Sequence, residues 1–205
     1  MNFGELRYEV AQRGFSYLLD DNASESRLKR WVNLAYTEIV ESDDWPFLRT
    51  TTTGTAPLTI SDLGTVANVY DTTHENVLIW RDERDLIDLF WNIGDTGTAR
   101  YFYFTSPTTI AVYPADAVSS LRVTYWKIPT ELSADTDEPL LPARYHHAIV
   151  EYAVAHAYLD NDNPAAAQVA RAEGDRLVQM MRERLLLPQH ANPDYIRNTG
   201  SGSDG

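Results

Sequence analysis

The chain has 205 residues, no cysteine, and a formal net charge of −13 from 17 basic and 30 acidic residues. Affinity for phosphate backbones comes from Lys and Arg displacing counterions, so this balance argues against a protein that grips nucleic acid. The missing cysteines exclude disulfides, thiolate nucleophiles and Cys-based zinc sites and fit a reducing compartment.

An apolar fraction of 43% can build the core of one domain or of two small ones. No run approaches the roughly 18 apolar residues of a membrane span. The opening MNFGELRYEV places acidic residues early and has no apolar stretch of the signal-peptide kind. Acidity has two readings: simple solubility, or a wall that lets DNA pass because like charges keep the polymer off it.

In chain order, residues 3–19 read as a first helix, with Phe3, Leu6, Val10, Tyr17 and Leu18 near helical spacing and Asp20, Asp21 and Asn22 stopping it. A second helix opens at Asn22 or Ser24, with Glu25 placed for a capping box on Asn22. Leu28, Val32, Ala35 and Ile39 mark its buried face, widened by Trp31 and Tyr36. It must end by Trp45, since Pro46 disfavours the α region for the residue before it.

From 49 to about 130 the composition turns to extended chain. The run TTTTGTAPLTI is Thr-rich and broken by Gly and Pro. Strands are expected at 58–60, 66–70, 77–80, 101–104, 109–113 and 121–126, the last alternating Leu121, Val123 and Tyr125 with Arg122, Thr124 and Trp126. Residues 82–91 suit a short helix with Leu86, Ile87, Phe90 and Trp91 inward, and Gly94 and Gly97 frame a loop.

Residues 133–139 (SADTDEP) form an acidic connector back to helix, and Pro142 sits near a helix start. Tyr145, Ile149, Tyr152, His156 and Leu159 share a stripe. Asn163 and Pro164 then supply an N-cap and an N1 proline for a last helix, whose inner face is Ala167, Ala170, Gly174, Leu177, Met181 and Leu185. The polar end after Pro188 reads as a flexible arm. The expected fold is α+β: a four-helix-type bundle from residues 1–48 and 139–187, two helices at each end, around a β-rich insertion at 49–138 with one short helix, and an arm at 188–205.

Tests for chemistry come back empty. His147 and Glu151 share a helix face, but His156 lies about 180° round the axis from His147, so His146, His147, Glu151 and His156 do not present three metal ligands together. Asp20–Asp21, Asp43–Asp44 and the Asp135, Asp137, Glu138 group sit at element ends, where carboxylates cap helices or fill turns. Neither GxSxG, GxxxxGK[ST] nor GxGxxG is present. The strand YFYF at 101–104 offers stacking rings, yet little basic charge lies beside it, which favours a strand covered on both faces. No catalytic, cofactor or metal residue is nominated, and the chain reads as a non-enzyme.

The order of RLKRWVNLAYTEIVESDDWPFLR, IAVYPAD, RVTYWKIPTEL and LPARYHHAIVEYAVAHAYL resembles the head–tail adaptor (connector) proteins of tailed bacteriophages over almost the whole chain. The polar tail departs from that pattern. The resemblance implies a structural virion protein of the neck, assembled in the host cytoplasm. It implies a homo-oligomeric ring, commonly of about twelve copies, closed by a head-to-tail interface. Such a ring docks beneath the portal protein, lengthens the channel for passing double-stranded DNA and offers a platform to the next neck or tail protein.

It also makes Pro188, Tyr195, Ile196 and Arg197 candidate portal-docking residues, with Tyr195 and Ile196 as apolar anchors. Trp45, Trp91, Tyr101, Tyr103 and Trp126 are candidates for packing or for contacts between subunits. The competing expectations are another neck or tail part, such as a tail terminator or a tail-tube-proximal protein, and a hydrolase built on scattered carboxylates.

Overall fold

A computed structural model describes residues 1–19, 22–90, 95–115 and 119–186, with the side chains of 22–24 excepted. Trp91, Gly94, Pro188, Tyr195, Ile196, Arg197, the Asp20–Asp21 stop and the proposed Asn22 cap therefore lie outside the described residues. Two compact units form, one from Met1–Pro46 with Thr130–Gly205 and one from Phe47–Pro129.

The first unit holds α1 (Phe3–Gln12), α2 (Asn22–Glu41), α4 (His146–Asp160) and α5 (Pro164–Leu185). A capping box opens α1: Asn2 Oδ1 accepts from the Glu5 amide at 2.9 Å and Glu5 Oε2 from the Asn2 amide at 3.0 Å. The helix stops at Gln12 rather than running to 19, because Gly14 takes φ +113°, a conformation L side chains rarely adopt. A 3-10 turn at Ser16–Leu19 follows, burying Leu18 and leaving Tyr17 exposed.

Helix α4 carries Ala, Ile or Val on every side, and it is buried almost all round, as such a sequence requires. The helices α1, α2 and α5 all pack on it. Against α5 the approach is close, for a Cβ on Gly174 would stand 2.8 Å from the Tyr152 ring.

The acidic connector is a structured strap rather than a loose link. Asn33 clamps the backbone of Leu132 through two bonds of 2.9 Å, and the carbonyls of Asp135 and Asp137 accept from the free amides that open α1. The buried Arg7 guanidinium donates to Glu25 and to Asp135, tying α1 to α2 and to the strap. Backbone bonds from Ser133 and Ala134 hold the Asp137 carboxyl below the usual range.

The second unit is a seven-stranded sheet in the order β1 (Arg49–Thr55), β7 (Ser120–Lys127), β3 (Leu63–Asp71), β4 (Asn76–Trp80), β5 (Tyr101–Ser106), β6 (Thr109–Tyr113), β2 (Leu58–Thr59). Every pairing is antiparallel except β4 with β5. Parallel neighbours need a long crossover, and the segment carrying α3 (Glu83–Phe90) supplies it.

Only Ala56 and Pro57 separate β1 from β2, yet these strands lie at opposite edges of the order, so the sheet must curl until its edges approach. A Cβ on Gly54 would collide with Leu58 Cδ1 at that seam. The interior is filled by Leu63, Val69, Leu78, Phe102, Ile110, Val112, Leu121, Val123 and Tyr125. A second cluster on the outer face sets Leu86 of α3 against Tyr103, Ala111 and Tyr113.

This architecture corrects the expected four-helix-type bundle with two helices at each end. The described residues carry five α-helices, one of them within the β region, and that region is a near-barrel with its own core. The physical reason is that a buried stripe shows that a helix packs, not which helices share a core. The Thr-rich run, too polar to stand out as a strand, became the edge strand that lets the sheet curl.

Candidate functional site

The polar side chains that sequence spacing brings closest to chemistry are spent on structure. The Met1 ammonium donates to His146 Nδ1 at 2.8 Å while Nε2 faces the Leu141 carbonyl at 2.9 Å, and burial pushes the imidazole below its ordinary pKa. Glu151 pairs with Arg13 at 2.9 Å, His156 Nε2 lies 3.3 Å from Glu38, and His147 is exposed. Among the described residues no three His, Asp or Glu side chains gather to hold a metal. Asp71, fully buried, accepts from Ser119, the His74 ring and the Thr73 amide and fixes the β3–β4 turn.

What remains unspent is apolar surface on the outer face of the β unit. In β4 (NVLIW), Leu78 enters the core, which turns Val77 and Ile79 outward, and they are 63% and 57% exposed. Ile79 is in register with Tyr101 of β5, whose ring contacts Phe90 of α3 at 6.0 Å between centroids. Thus α3 covers β5 and β6 on this face and leaves the β4 stripe bare. The helix itself is eight residues long and carries Leu86, Ile87, Leu89 and Phe90. These four share one helix face, yet only its centre is covered: Leu86 is inside, Ile87 and Leu89 are exposed, and Phe90 is 39% exposed while packing on Tyr113.

The inward orientation expected for Ile87 is therefore corrected, and Phe90 is only partly covered. Trp80, in register with Phe102 of the interior, is exposed on the opposite face of the strand, while Ile87, Leu89 and Phe90 of α3, with Val77 and Ile79 of β4, make this outer face an apolar patch, as interaction surfaces are. Beside it Arg81, Asp85, Asp88 and Leu89 line a shallow hollow of about 360 Å³. Asp85 and Asp88 have no ion-pair partner among the described residues.

The remaining aromatic candidates divide. Trp45 is wholly buried, its Nε1 donating to the Ile39 carbonyl at 2.8 Å, a packing role at the end of α2. Tyr103 is buried under α3 and Tyr101 is half-buried at the edge of the patch. Trp126, half-buried on β7, lies 5.6 Å from the Arg49 guanidinium, and its Nε1 has no hydrogen-bond partner among the described residues. Phe104 stays 36% exposed, so YFYF is not covered throughout.

Sequence reasoning passed over Val77, Ile79 and Leu89. For β4 the signal was available, since it has apolar side chains at both parities and one set must face away from the core.

Compared with known families, the chain matches the family model described as SU10 adaptor protein over residues 1–197. No curated protein matches it.

Proposed function

The chain belongs to the SU10 adaptor protein family, structural adaptors of tailed phages, and from that premise we propose that it forms a ring beneath the portal. In this reading the ring, of about twelve copies, lengthens the DNA channel and joins the capsid to the next neck or tail protein. It sits in the neck of the virion after assembly in the host cytoplasm. The reading rests on one observation: the match runs through both units, so the chain as a whole, not a grafted piece, carries the adaptor pattern.

Two physical features support it. A ring needs head-to-tail surfaces beyond those that make the core, and the β unit leaves Val77, Ile79, Ile87 and Leu89 exposed. The net charge of −13 suits a surface past which DNA slides without being held. The segment bearing Pro188, Tyr195, Ile196 and Arg197 is proposed as the portal-docking arm.

The test is electron microscopy of portal-bearing particles assembled with and without the protein, combined with crosslinking. A ring of added density below the portal, with crosslinks to portal protein, is the expected result. Crosslinks confined to the tail tube would replace this reading with that of a tail terminator or tail-tube-proximal part, and absence from particles would overturn it.

A further inference from the structure

We infer that the apolar patch on β4 and α3 is covered by a second copy of this chain, through the outward face of its helix α2. The inference rests on the ring reading above and names the surfaces that would close it.

The occupant follows from charge. The patch is edged by Asp85 and Asp88, two carboxylates without an ion-pair partner among the described residues, at a hollow whose other walls are Arg81 and Leu89. A partner must therefore bring a guanidinium together with apolar surface. In a chain with so few cations that combination is restrictive, and α2 offers it. Its inward face buries Leu28, Val32, Ala35 and Ile39, which turns Arg27, Arg30 and Leu34 outward at steps of three and four.

Arg27 is exposed with no carboxylate partner among the described residues. Arg30 reaches Asp160 at 2.6 Å from a side chain that is 60% exposed, and Leu34 is 48% exposed with no core to enter. From Arg27 to Leu34 is two helical turns, about 10 Å, enough for the Arg to enter the hollow while the Leu meets the patch. The two surfaces differ, so the contact is head-to-tail, the kind that closes a ring. Charge pairing at the edge fixes register, and the apolar patch supplies the contact.

The absence of native cysteine makes the test clean. Full-length R27C and D88C are mixed, assembled on portal-bearing particles and oxidised. The expected product is a covalent dimer of the mixture, in yield about tenfold or more above either variant alone. In parallel, D88R lowers incorporation into particles by a similar factor, and D88R combined with R27D restores it, an effect that a merely misfolded variant would not show.

Wild-type rings without the crosslink, with D88R incorporated normally, would overturn this interface and leave the ring reading standing. A failure of the wild-type chain to join portal-bearing particles would overturn the ring reading and the interface with it.

Discussion

The contact between α4 and α5 sets two opposing magnitudes against each other at Gly174. Replacing it with Ala removes a glycine from a helix interior, a gain of about 1 kcal/mol. The new Cβ, however, would stand 2.8 Å from Tyr152 Cδ2 and 2.9 Å from Cε2. The ring cannot easily retreat. Its hydroxyl donates to Asp175 at 2.6 Å and the Arg171 guanidinium lies 4.4 Å from its centroid.

Overpacking of this kind costs about 1–3 kcal/mol, so Gly174→Ala should be net destabilising, by about 1 kcal/mol. For a chain of this length that lowers Tm by roughly 2–4 °C. In a Tyr152→Leu background the obstacle is gone and the helix term alone remains, so the same change should stabilise by about 1 kcal/mol. Urea denaturation of the four proteins, with unchanged m values, measures both numbers. Equal effects in the two backgrounds, or a gain in the native one, would refute the packing argument.

Three further outcomes follow from other buried groups. Trp45→Ala should cost about 3–5 kcal/mol by equilibrium unfolding, and Trp45→Phe only about 1 kcal/mol, because the Ile39 carbonyl still accepts from Ser42 when the indole bond is lost. At Asp71 burial raises the pKa, but bonds from His74, Thr73 and Ser119 outweigh it and hold the carboxyl below its usual value. Its contribution is thus present above the unfolded carboxylate pKa near ~3.9 and lost as pH falls through the folded value, and Asp71→Asn should flatten that acid limb. Burial and the bond to Asp62 push the Tyr125 phenol up to about 12. Because the folded value exceeds the unfolded ~10, stability should fall between these two pH values, and Tyr125→Phe should remove that loss in alkaline unfolding curves.

The family resemblance was legible in the order of motifs, and it holds over residues 1–197. The inward residues of α2 and the alternation of Leu121, Val123 and Tyr125 in β7 were legible too, because each depends on one short period that local sequence carries. The assembly of the elements was not. Nothing local says that β1 and β2, two residues apart, belong at opposite edges of a curled sheet, or that α4 is enclosed by three other helices. Gly14 looked like one residue in a continuing helical pattern, and only its backbone shows that it breaks the helix. The patch was missed for a different reason. Reading Ile87 and Phe90 as inward assumed that apolar residues have a core to enter, whereas only Leu86 of that helix face is fully buried.

Under the proposed ring, the same chain must repel its copies in solution and hold them once docked, and ionic strength separates these two requirements. Repulsion between molecules of net charge −13 is long-range, and it fades once the Debye length falls to about 8 Å near 0.15 M salt. Contact pairs between Arg27 and Asp85 or Asp88 would lie within a few ångströms, and at the interface edge they weaken only when that length shrinks to roughly 3 Å near 1 M. Self-association followed by light scattering should therefore rise from low salt to about 0.15 M and decline towards 1 M. The Arg27→Asp protein, which has lost the attractive pairs, should keep only the rising limb. Indistinguishable salt profiles for the two proteins would show that the charges beside the patch take no part in holding subunits together.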